Sequence, residues 1–187
     1  MKMKYSTMHF GTKKNKIRIV HLNKPIKNGV AGLIVSPLFP EPVGFFADDA
    51  ARSDLDYALG CLAGGESGKA ACVRLERDVF YDFKRGRPYA RMILFHELGH
   101  HYHKDLVGLD AESYDATRFK TAETGKVMEM ELKADAFAAS YLGRAVALAG
   151  LEEIKTLILQ TRGDRTDIRM AVFELDERIR FLQSSEY

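Results

Sequence analysis

The sequence predicts an α+β domain, with a small N-terminal sheet followed by a mainly helical C-terminal half. Three observations predict it. The stretches KIRIVHL (16–22) and AGLIVSP (31–37) are β-branched and bounded by Asn, Gly and Pro, as short strands are. From about residue 88 onward, long segments carry apolar residues at helical spacing. No internal repeat or linker divides the 187 residues, which are enough for one domain, 1–187, with a real hydrophobic core.

The remaining elements follow in order. PLFPEPVG (37–44) reads as a proline-rich loop. DDAARSDLDYALGCLA (48–63) suits a helix with Asp48 or Asp49 near its cap. GGESGK (64–69) is a turn. It is not a phosphate-binding loop, because Gly64 and Gly68 are too close and Ala70 stands where a magnesium-binding hydroxyl is needed. ACVRLERDVFYDF (71–83) alternates well enough for one or two strands, and RGRP turns the chain into a helix over roughly 88–104. A polar loop (110–125) precedes three helices, roughly 126–148, 151–162 and 165–183. In the last, Ile168, Val172, Leu175, Ile179 and Leu182 form an apolar stripe that reads as core packing rather than a site.

Composition narrows the class. With 46% apolar and 29% charged residues the chain is of the soluble globular type. No apolar run approaches the ~18–20 residues of a membrane helix, and the basic N-terminus lacks the apolar core of a secretory signal. A cytoplasmic protein without a membrane partner is expected. Cys61 and Cys72 are neither a disulfide framework nor at zinc-ligand spacing, and read as reduced thiols. Net charge is +2, yet the first forty residues carry eight Lys or Arg and no acid. Such a segment can meet nucleic acid or an acidic partner; a solvated surface is the commoner outcome and the expected one.

The chemistry is concentrated in ILFHELGHHYHKD (93–105), which holds four of the six histidines. His96 and His100 are four apart, so a helix presents both rings on one face, where they can grip one zinc ion. Glu97 lies one step round and can reach a water on that metal. This is the H-E-x-x-H arrangement of zinc hydrolases, in which the metal lowers the pKa of the water and the glutamate takes its proton. Gly99, between the histidines, permits close approach of another element. His101 is about 100° from His100 and reads as a surface or packing residue. His103 shares the face of His96 and His100 nearly a turn further on, and is expected not to ligate.

A catalytic zinc takes three protein ligands and keeps an open position. The extended pattern H-E-x-x-H-x-x-G-x-x-H fails, since His103 and Leu106 occupy its last two defined positions. Glu131, in EMELKADAFAASYL (129–142), is the better third ligand. It lies among Val127, Ala134, Asp135 and Ala138, where a carboxylate is costly unless paired. Ala134, Ala138 and Ala139 would let this helix pack closely, and Asp135 could accept the second ring N–H of a ligand histidine.

HELGHH followed by ELKADAFAASYL resembles the gluzincin metallopeptidases, in particular the ImmA/IrrE family, which pairs HELGH with a helix of the form E-x-x-A-[N/D]-x-F-A. Glu131, Ala134, Asp135, Phe137 and Ala138 match that form position by position, and the resemblance covers roughly residues 70–142. It implies a zincin-like fold and zinc-dependent cleavage of a protein, often a transcriptional repressor. It also implies His96, His100 and Glu131 as ligands with Glu97 as general base. Where the family commonly continues with a Leu-Met-Pro-like stretch, this chain has SYLGRAVAL, which is expected to continue as helix. A peptide substrate would then lie along an edge strand within 71–83. His103, Tyr114 and Tyr141 are candidates to stabilise the oxyanion. The alternatives are a non-proteolytic zinc-bound binding module and hydrolysis of a non-peptide amide. Iron, manganese or cobalt could stand in for zinc.

Overall fold

The computed structural model describes residues 5–12, 16–22, 30–48, 60–63, 72–105, 124–160 and 165–184. Six strands form one sheet: β1 (Tyr5–Phe10), β2 (Ile17–Leu22), β3 (Val30–Val35), β4 (Val43–Asp48), β5 (Gly60–Ala63) and β6 (Cys72–Glu76). Their order is β1-β2-β3-β4-β6-β5. The first four are antiparallel neighbours, β6 runs parallel to β4, and β5 closes the far edge antiparallel to β6. Alternation buries one face: Ile17, Ile19, Ile34, Val43, Phe45, Ala47, Val73 and Leu75 point into the core, while Arg18 and Leu33 are exposed.

The helices are α1 (Arg77–Arg85), α2 (Pro88–His103), α3 (Thr124–Leu142), α4 (Arg144–Gln160) and α5 (Arg165–Ser184). α2 is the hub. It packs against α3, α4, α1, β5 and β6. Its residues from Met92 to His96 and from Leu98 to His100 are all buried, the signature of a helix surrounded by protein. Pro88 opens it at a position where a missing N–H costs nothing. Glu153 of α4 accepts a hydrogen bond from the Tyr89 N–H and pairs with Arg87, placing a negative charge at the helix's positive end. No helix among the described residues is long and apolar enough to cross a membrane.

Five expectations need correction. Residues 60–63 are a strand rather than the end of a helix, because pairing with Cys72–Leu75 decides their conformation; Asp48 ends β4. Residues 49–59 lie outside the described residues. The chain is a strand only to Glu76 and then turns helical. Val79, Phe80 and Phe83 are buried together at helical spacing, and Asp78 and Lys84/Arg85 stand at the ends that suit their charges. The strand within 71–83 is no edge, since β6 is paired on both sides. Finally, SYLGRAVAL does not run on as one helix. Gly143 adopts a φ of 82°, ending α3, and α4 begins at once. The proline-rich loop also ends earlier than expected, at Pro42, and β1 was not anticipated.

Candidate metal centre

Packing brings α2 and α3 together at the level of the histidines. A Cβ on Gly99 would stand 2.7 Å from the Ala134 Cα, so the two backbones touch. That contact sets Glu131, one turn before Ala134, against His96 and His100. Among the described residues these three form the group whose ligating atoms all lie within 4.8 Å of one another. His96 Nε2 is 3.0 Å from His100 Nε2 and 3.1 Å from Glu131 Oε2, and His100 Nε2 is 3.5 Å from Glu131 Oε1. Two donors on one tetrahedral zinc, each bonded at ~2.0–2.1 Å, stand roughly 3.3 Å apart, which is the scale of this triangle.

Each ring is aimed by a carboxylate. His96 Nδ1 lies 2.8 Å from Asp135 Oδ1, and His100 Nδ1 lies 3.1 Å from Asp105 Oδ2. An ionised carboxylate only accepts, so each Nδ1 carries a hydrogen, and a ring that is neutral is left with its lone pair on Nε2, facing Glu131. Asp105 reaches back because of how α2 ends. Lys104 takes the left-handed conformation, φ 59°, and the Asp105 N–H bonds the His100 carbonyl at 3.1 Å. Lys104 is the one non-glycine residue of positive φ among those described.

Three lone-pair donors thus converge on one point, where only a proton or a cation could satisfy them. The ionisation of the metal-free site expresses this. Burial works against a charge on His100, but its hydrogen bonds to Asp105 and Glu131 outweigh it and push the ring up to about 10. His96 is opposed by burial and by Arg178, yet Glu131 and Asp135 leave it raised. Burial opposes the charge on Glu131 too, but His96, His100 and Arg178 hold its carboxyl well below the usual range.

Arg178 is the residue that sequence reasoning missed. It reaches in from α5, where only core packing was expected. Its Nε and Nη2 donate to the two oxygens of Asp135, both at 2.7 Å, and Nη1 lies 3.1 Å from Glu131 Oε2. Nη2 also comes within 3.1 Å of His96 Nδ1, and since both are donors, Asp135 is the acceptor they share. A signal was present. Arg178 stands three after Leu175 and four before Leu182, on the face of the apolar stripe, where a cation needs an acid.

The other candidates are not members of the ligand group. Glu97 is half-buried beside His96 on α2, and its charge acts on His100. His101 packs edge-on against Phe39 at 5.1 Å, and burial lowers its pKa, as suits a packing residue. His103 is exposed and does not join the ligand group. The Tyr141 ring packs on Phe95 and Phe137, and its buried hydroxyl has no hydrogen-bond partner among the described residues. Tyr114 lies outside the described residues, as do most of the N-terminal cations; Lys16 and Arg18 are exposed. Comparison with known proteins finds no matching family model, no matching curated protein and no matching solved structure.

Proposed function

We propose that the chain is a cytoplasmic zinc-dependent endopeptidase with a zincin-like fold, cleaving a protein or peptide substrate. His96, His100 and Glu131 would hold the metal, and Glu97 would be the general base. One observation carries the reading: two imidazoles, each fixed through Nδ1 by its own carboxylate, turn their Nε2 atoms toward each other and toward Glu131. Three protein ligands leave a position open, as a catalytic rather than a structural site requires. Zinc held there would polarise a scissile carbonyl and make a water more acidic. Glu97, next to His96 in sequence and half-buried, would take the proton from that water and pass it to the leaving amine. The transcriptional repressor implied by the ImmA/IrrE resemblance is the first substrate class to try.

The test pairs metal analysis with hydrolysis. The full chain should carry about one zinc, and so should Glu97→Gln, while only the former cleaves members of a degenerate peptide library. The loss in Glu97→Gln should be about 10²–10⁴-fold in kcat. Zinc retained without any Glu97-dependent cleavage would favour a metal-bound binding module instead. No zinc at all would defeat the reading.

A further inference from the structure

We propose that Arg178 is a positioning residue of this centre, and that through it the last helix and the metal ligands stabilise one another. The inference rests on the metal-site reading above. Glu131 and Asp135 are four apart on α3, a spacing at which like charges repel, and Asp135 is fully buried. The Arg178 guanidinium spans both, with two bonds to Asp135 and one to Glu131. A ligating His96 is neutral, so it gives Asp135 a hydrogen bond but no countercharge. Arg178 supplies that charge and fixes the carboxylate in the plane from which it aims the His96 ring. A lysine at this position offers a point charge without the fork, and could not make the three bonds together.

The same contacts tie α5 into the molecule. This helix packs chiefly along α4 and more lightly on α3. Its buried stripe, Leu175, Ile179 and Leu182, is apolar and non-directional, and Arg178 adds a directional tie to α3, which bears Glu131. Binding at the ligand set and docking of α5 are therefore linked, and linkage is reciprocal.

The experiment uses the full chain stripped of metal, with Arg178→Met and Arg178→Lys beside it. Each is titrated with zinc against a chromophoric chelator and with cobalt(II) for its visible absorption. Amide exchange in α5 is followed with and without zinc. Arg178→Met should lose about 10–100-fold in zinc affinity and show an altered cobalt spectrum. Arg178→Lys should recover only part of the loss. Zinc should slow exchange in α5 of the wild type and no longer do so in Arg178→Met. Should Arg178→Met fail to fold, Arg178→Lys carries the comparison. Variants that bind zinc with wild-type affinity and spectrum, while their metal-free stability falls, would overturn the inference alone, leaving Arg178 a helix-docking residue. A wild type that takes up no metal would overturn the metal reading and this inference together.

Discussion

Gly99 and Ala134 meet without a side chain between them: a Cβ on Gly99 would lie 2.7 Å from the Ala134 Cα and 2.9 Å from its carbonyl oxygen. On an exposed helix, Gly→Ala would gain up to about 1 kcal/mol. Here Gly99→Ala should instead cost roughly 1–3 kcal/mol, because backbone must move to admit the methyl group. The same displacement should draw Glu131 away from the histidines and weaken zinc binding. Urea denaturation and a zinc titration would check both. A variant as stable as the wild type would mean that the helices are not in contact here.

The two aiming carboxylates should be separable by mutation. Asp135→Ala and Asp105→Ala should each lower zinc affinity by about 10–100-fold, one through His96 and the other through His100. Unaltered affinity in a chelator competition for both would mean that the rings need no support from Nδ1.

Metal uptake should expel protons. In the metal-free chain His100 is pushed up to about 10, so at neutral pH its ring is charged and must lose a proton to ligate. Zinc affinity should therefore rise with pH across the neutral to alkaline range. The sign for the metal-free fold is the reverse. His100 contributes stability in full below its unfolded pKa of about 6.5, and that contribution is lost as pH rises through about 10. Proton release on adding zinc in weak buffer, with thermal unfolding of both forms against pH, measures each half.

Away from the centre, the Tyr89 hydroxyl donates to Asp82 Oδ2 at 2.6 Å, joining the start of α2 to α1. That bond, before the contribution of Arg85, holds the Asp82 carboxyl below its usual range. Tyr89→Phe should cost about 0.5–1.5 kcal/mol near neutrality. A lowered carboxyl contributes stability above its unfolded pKa of ~3.9 and loses it as pH falls through the folded value. The gap between wild type and variant should accordingly close in strong acid; a gap independent of pH would assign the cost to packing alone.

Much of this arrangement was legible in the residues themselves. His96 and His100 share a helical face by spacing alone, and Gly99 between them announced a close neighbour. Glu131 and Asp135 stood out as carboxylates among alanines. What escaped was decided by partners distant in sequence. Gly60–Ala63 looks helical until Cys72–Leu75 pairs with it. Val79, Phe80 and Phe83 have strand-forming side chains, and only their joint burial reveals a helix. Asp105 depends on the left-handed turn at Lys104, a residue type that carries no such signal. Arg178 depends on α5 folding back onto α3, which no local pattern specifies.

The order in which these parts are spelled has a consequence for the newborn protein. Translation delivers His96 and His100 first, then Glu131 and Asp135, and Arg178 only later. At ~5–20 residues per second, several seconds separate Glu131 from Arg178. During that interval Asp135 lacks its guanidinium partner. The last helix thus brings the countercharge to carboxylates that were made without it.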